Sequence, residues 1–241
     1  MDFIKLREKA LSDAKTAIRE SVCEDNFIIH TINSIEDVTR NINSLTNRLR
    51  DWYCIYFPEL DNKIEDHEAF VKTVIEANKG ELLKEFGLSE SMGADIDEKD
   101  LAPLISFAAQ ISQLYTLKEE FKTYLDEVTL VYCKNLNSLL GPLLTAKLIR
   151  EAGSLKNLAM MHASKVQLLG AEVALFRHLK TGARPPKHGV ILQHSLVSGS
   201  QRKGRAARVL ADKIAILVKT DYFKGEFIAD KIREELEEKL K

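Results

Sequence analysis

Arg177, His178 and Lys180 stand close together, Arg184, Lys187 and His188 follow within eight residues, and Arg202, Lys203, Arg205 and Arg208 form a third group. Between Arg177 and Lys224 there are eleven basic and two acidic side chains, a net charge of +9. So many like charges repel one another and call for a polyanionic partner. Arg202, Arg205 and Arg208 are three apart, a spacing that puts them on one helical face. A helix starting there would also point its first N–H groups at a bound phosphate. Ion pairs with phosphate give affinity that falls with salt and carry little base specificity. His194 has two open readings, stacking on an unpaired base or sitting inside the fold with its nitrogens satisfied. Lys213 and Lys219 read as solvated surface charges.

Catalytic chemistry finds little to work with. The chain has no GxSxG, GxxxxGK[ST], HExxH or GxGxxG run. His178, His188 and His194 lack neighbouring cysteines and carboxylates, which argues against a metal site. Nothing near them serves as a nucleophile or second acid. We therefore expect no enzyme activity, no catalytic residue, no metal and no cofactor. Cys23, Cys54 and Cys133 are odd in number and widely spaced, which favours a reducing, intracellular setting over disulfides. No apolar run approaches the roughly 20 residues of a membrane span, and no membrane partner is expected. The expected location is the cytoplasm of an archaeon, or the nucleus of a eukaryote.

The elements that must position the basic groups are helical. The apolar spacing is that of helices, and the 241-residue chain reads as all-α. Ile28, Ile35, Ile42 and Leu49 repeat every seven residues, and Val38, Leu45 and Trp52 form a second such series. Together they predict a coiled-coil seam ended by Pro58. Phe107, Ile111, Leu114, Phe121, Leu125, Val128, Tyr132 and Leu139 fit the same frame, with Lys118 and Asn135 as polar interruptions. Between the stripes, residues 59–100 hold thirteen acidic and five basic side chains, a net of −8. The simplest arrangement folds the second helix back antiparallel on the first, with the acidic stretch at the tip; two helices of an ordinary bundle is the other reading.

Gly141 and Pro142 mark a boundary. Beyond it the pattern predicts a short helix over 143–149, a helix from about Ser164 through Leu179, and a stop at Gly182. The adjacent Pro185 and Pro186 make 183–189 a stiff loop. Helices should follow from after Ser200 to about Lys219 and from Phe227 to Leu240. The expected division is an N-terminal helical segment at 1–25, a coiled-coil domain at 26–141 with its acidic tip at 59–100, and a C-terminal domain at 142–241.

The block Gly170-Ala171-Glu172 with Ala174-Leu175-Phe176-Arg177-His178-Leu179-Lys180, and the run QRKGRAARVLADKIAILVKTDYF at 201–223, resemble the Nop domain. Asp51-Trp52-Tyr53 and Phe57-Pro58-Glu59-Leu60 resemble the end of that family's first coiled-coil helix. The resemblance spans about residues 26–241. It implies an RNA-binding subunit that recognises a kink-turn RNA together with a small kink-turn-binding protein of the ribosomal-protein type. Family members are core subunits of box C/D guide ribonucleoproteins, which direct ribose 2′-O-methylation, and a pre-mRNA splicing factor. In the box C/D branch the coiled coil mediates self-association, and the methyltransferase fibrillarin docks on a separate N-terminal domain.

The RNA-facing residues implied or read from charge are Arg177, His178, Lys180, Arg184, Lys187, His188, His194, Arg202, Lys203 and Arg205. The chain departs from the family in three places. Only about 25 residues precede the first heptad, which points either to a shortened homologue that recruits no fibrillarin or to a fragment. His194-Ser195 with its short spacer to Gln201 is closer to the splicing branch, whereas Ala174–His178 is closer to the archaeal guide-complex branch. Met161-His162 stands where Lys-Met-Pro is usual. In the RNA-binding reading the coiled coil holds two subunits or another helical partner; the rival reading is a structural coiled-coil adaptor whose basic surface meets an acidic protein.

Overall fold

The computed structural model describes residues 3–240, apart from the Leu240 side chain, so the expected 1–25 segment is seen from Phe3 onward. Every regular element among the described residues is helical. Helix α1 spans Phe3–Glu20, α2 Glu24–Tyr53, α3 Glu59–Lys63, α4 His67–Glu76, α5 Lys79–Phe86 and α6 Glu98–Tyr132. Then come α7 Lys134–Leu140, α8 Pro142–Ala152, α9 Leu155–Met160, α10 Ala163–Leu168 and α11 Glu172–Thr181. A 3-10 turn at Val190–Gln193 leads to α12 Ser195–Ser198, α13 Lys203–Tyr222 and α14 Ala229–Leu240. Among the described residues, no helix is long and apolar enough to cross a membrane. Contacts group residues 1–32 with 123–241 in one unit and place residues 33–122 in a second.

The long helices α2 and α6 pack together, antiparallel. Leu49 shares a core with Leu104, Ala108 and Ile111, while Asp25 pairs with Tyr132 at the other ends of the two helices. The first heptad series, Ile28, Ile35, Ile42 and Leu49, is buried throughout. The second is shifted. Its buried line is Ile32, Thr46 and Tyr53, so Tyr53 is 2% exposed and Trp52 39%, while Leu45 packs against the core from its edge. Val38 and Thr39 are both half-buried, and Thr39 donates its Oγ1 hydrogen to Ile35 O at 2.7 Å. The frame on α6 ends at Tyr132, and Leu139 belongs to α7 after a break at Cys133.

In the second unit, α3–α5 cover a cluster built on Tyr53, Phe57, Leu60, Phe70 and Leu82. Arg50 organises its edge. The guanidinium lies 4.3 Å from the Phe70 ring centroid, pairs with Asp61 at 2.6 Å and donates to Ile64 O at 2.8 Å. It thus satisfies a carbonyl that the end of α3 leaves open. Asp66 caps α4, and Asn78 with Glu81 forms a capping box on α5.

In the first unit, α13 is the central helix. Ala206, Ala207, Leu210, Ala211, Ile214, Leu217 and Val218 are buried along it, and the small alanines let α9, α10 and α12 approach closely. Caps arrive from far along the chain. The Asp221 carboxylate accepts from the backbone N–H groups of Asn135 at 3.1 Å and Leu136 at 2.9 Å, the open donors of α7. Asp25 accepts from Leu155 N at 3.0 Å, at the first residue of α9. Burial holds the Asp25 carboxyl above its ordinary range, against the lowering effect of its bonds from Leu155 and Tyr132. Asn135, read above as a polar interruption, is buried and bonded on both amide atoms, to Asp221 and Ile228.

Candidate nucleic-acid interface

The predicted helix over 164–179 is broken in two. Gly170 adopts φ +81°, and a Cβ there would come within 2.3 Å of Val190 Cγ2. Glu172 closes this turn by accepting from Gly170 N at 2.8 Å. The Gly170-Ala171-Glu172 run is therefore a hinge between α10 and α11.

The segment after α11 is tied down by backbone. Gly182 ends the helix in the left-handed region at φ +68°, and His178 Nδ1 contacts Ala183 O. Farther on, Gln167 donates from Nε2 to Lys187 O at 2.7 Å. Gly189 N donates to Gln167 O at 2.9 Å and Val190 N to Leu169 O at 2.8 Å. A side chain at Gly189 would overlap Leu169 O, with its Cβ only 1.9 Å away. The proline-containing loop is thus pinned at both ends.

This pinning lays the loop against the start of α13. The Lys187 stem lies over Gly204, 3.4 Å from where a Cβ would stand. The two segments enclose a cleft of about 730 Å³ lined by Lys187, His188, Arg202, Lys203, Arg205 and Arg208. An adjoining recess of about 420 Å³ holds Arg177 and shares His188. The cleft floor includes the first residues of a 20-residue helix whose N-cap makes no side-chain bond to its open N–H groups. Five cations and a helix N-terminus around one concavity attract phosphate oxygens.

Of the sequence-derived residues, the structure brings Lys187, His188, Arg202, Lys203 and Arg205 into the cleft and Arg177 into the recess. Lys180 and Arg184 are exposed but line neither. His178 is turned toward the loop it braces. His194 is half-buried: Nε2 bonds Leu139 O at 3.2 Å and Nδ1 accepts from Leu196 N at 3.3 Å, capping α12. Lys213 is not a solvated charge, because it is buried and paired with Glu235 of α14; Lys219 is exposed.

Residues 34–241 match the Nop family, described as "snoRNA binding domain, fibrillarin". The chain belongs to the Nop family. It is 37% identical over 235 residues to an uncharacterised NOP5 family protein of Methanocaldococcus jannaschii, covering 90% of this chain and 56% of that protein. It is 34% identical over 241 residues to human Nucleolar protein 56, with coverages of 90% and 41%. Nucleolar protein 58 of Schizosaccharomyces pombe is 35% identical over 215 residues, with coverages of 82% and 42%. The chain spans roughly half the length of these relatives. A solved fibrillarin/Nop5p complex contains a similar fold, with a TM-score of 0.57 and 25% identity over 98% of this chain and 78% of that one.

Sequence reasoning missed one part of this Nop surface. Helix α11 contributes no buried residue, and Val173, Phe176 and Leu179 are 87%, 60% and 68% exposed. Their three-residue spacing marks an apolar face, which a single helix over 164–179 would have turned into the core. Gln167 and its bond to the Lys187 carbonyl carried no signal at all.

Proposed function

We propose that this Nop protein is a non-enzymatic RNA-binding subunit that recognises a kink-turn RNA together with its small binding protein. The observation that supports this most directly is the pairing of two unlike surfaces in one unit. A cleft with five cations adjoins a recess, and the recess is bordered by a helix with an exposed apolar face. Naked nucleic acid would need only the cations. Exposed phenylalanine, leucine and valine side by side mark a protein contact. A composite of RNA and protein uses both. Phosphate contacts fall to Arg177, Lys187, Arg202, Lys203, Arg205 and Arg208, with Lys180 and Arg184 at the margin. His188, shared by cleft and recess, is placed for a ribose or base edge.

The test is a gel-shift titration with kink-turn RNA, with and without the small partner protein. Ternary binding that weakens steeply with salt is the expected result. The pair Arg177→Glu with Lys187→Glu should abolish the shift and leave helicity unchanged, since both side chains are exposed. If neither RNA nor the preformed complex binds at low salt, the reading fails. In that case the rival, an adaptor whose basic face meets an acidic protein, takes its place. Fibrillarin recruitment is not part of the proposal.

A further inference from the structure

The start of α13 is a ridge between two concavities. On one flank lies the cleft of about 730 Å³ that holds Lys187, His188, Lys203 and Arg208. On the other lies a groove of about 650 Å³, walled by Ser195, Leu196 and Ser200 ahead of the helix and by Lys239 in the last turn of α14. Gln201, Arg202 and Arg205 line both. The two arginines therefore form the crest.

The second groove suits an anion. Arg202, Arg205 and Lys239 line it, with no carboxylate among its described residues. Glu235, one turn before Lys239 on α14, is engaged by Lys213 instead. Ser200 Oγ accepts from Arg202 N at 3.1 Å, which leaves the hydroxyl hydrogen for an outside acceptor. The Gln201 amide adds further donors. Lys239 is remote from the basic run in sequence. It reaches the groove because Ala229, Ile232 and Leu236 are buried and hold α14 against α7 and α13.

We propose that this groove is a second phosphate site, and that the α13 ridge enters a groove of an RNA duplex with one strand's backbone on each flank. The inference rests on the RNA-binding reading above and adds Lys239 to it. A single backbone following the cleft meets Lys187 and Lys203 but not Lys239, which stands behind the arginine crest. Paired strands present two backbones at once, and duplex RNA is recognised largely through its shape and its phosphates.

Fluorescence anisotropy of a labelled kink-turn RNA carrying its small protein tests this with Lys239→Gln and Lys187→Gln. Both side chains are exposed, so circular dichroism should be unchanged. The RNA is made with ordinary phosphates, or with several uncharged methylphosphonate linkages in one strand or the other of each stem. On ordinary RNA each variant should weaken binding about five- to eightfold at roughly 0.1 M salt, the counterion release of one phosphate contact. Neutralising one strand should silence Lys239→Gln and leave Lys187→Gln its effect, and neutralising the opposite strand should do the reverse. A Lys239→Gln chain that binds ordinary RNA as tightly as the parent overturns the proposal and leaves the RNA reading standing. So does silencing of both variants by the same strand, or an effect of Lys239→Gln that survives on every neutralised RNA. A parent chain that binds neither the RNA nor its complex overturns the RNA reading itself, and this inference with it.

Discussion

Replacing Lys187 and Arg205 together by glutamine removes two of the five cations that line the cleft. With Arg177 in the adjoining recess, six cations are available to phosphates. If each neutralises one, the slope of log Kobs against log salt lies between roughly −4 and −5.5, at about 0.7 to 0.9 per phosphate. Affinity then falls about 300- to 2,000-fold between roughly 50 and 200 mM salt. The double variant should make the slope shallower by about 1.4 to 1.8. Fluorescence anisotropy of a labelled kink-turn RNA carrying its small protein measures this at several salt concentrations. Both side chains are exposed, so helicity and thermal midpoint should stay put. Lys219→Gln, exposed on α13 but outside the cleft, is the control and should leave the slope alone. An unchanged slope in the double variant refutes the reasoning. An equal change in the control would show that net charge, rather than the cleft, does the binding.

Gly170→Ala forces a Cβ into a left-handed turn and against Val190. It should lower unfolding free energy by about 1–3 kcal/mol in urea titrations, and a variant as stable as the parent would show that the hinge tolerates a side chain. Arg50→Met strands the Ile64 carbonyl and the Asp61 carboxylate. It should destabilise the second unit by about 2–3 kcal/mol, read from amide exchange in α3 and α4; protection as in the parent would contradict the hub role. The pH prediction follows from Asp25, whose folded-state pKa is raised, chiefly by desolvation. Its contribution to stability is fully present below the unfolded carboxylate value and is lost as pH rises through the folded one. Asp25→Asn keeps an acceptor for Leu155 N and should flatten the fall in thermal midpoint over that window. Parallel midpoint curves for variant and parent would show that another group controls it.

Much of the architecture could be read one segment at a time. Ile28, Ile35, Ile42 and Leu49 announce a buried stripe because helix periodicity is a local property, and Gly182 announces a helix end because a left-handed cap favours glycine. The basic groups around Arg177, Lys187 and Arg202 were legible as a cluster, since like charge accumulates visibly along the chain. The Nop motifs named the family for the same reason, being contiguous runs.

What those runs could not say is which neighbour each side chain meets. The second seam line carries Thr46, which looks polar along the chain and is buried only because α6 brings Tyr115 to it. Asp221 and Asp25 look like surface acids, and only chain segments more than eighty residues away turn them into helix caps. Lys213 carried the same ambiguity, and it is Glu235 on α14 that pairs with it. The sequence by itself determined the all-helical class, the two long helices, the basic charge and the family. The tertiary structure decided which cations share a cleft, which apolar faces stay uncovered and which charges are buried, because each depends on contacts between segments that no local pattern encodes.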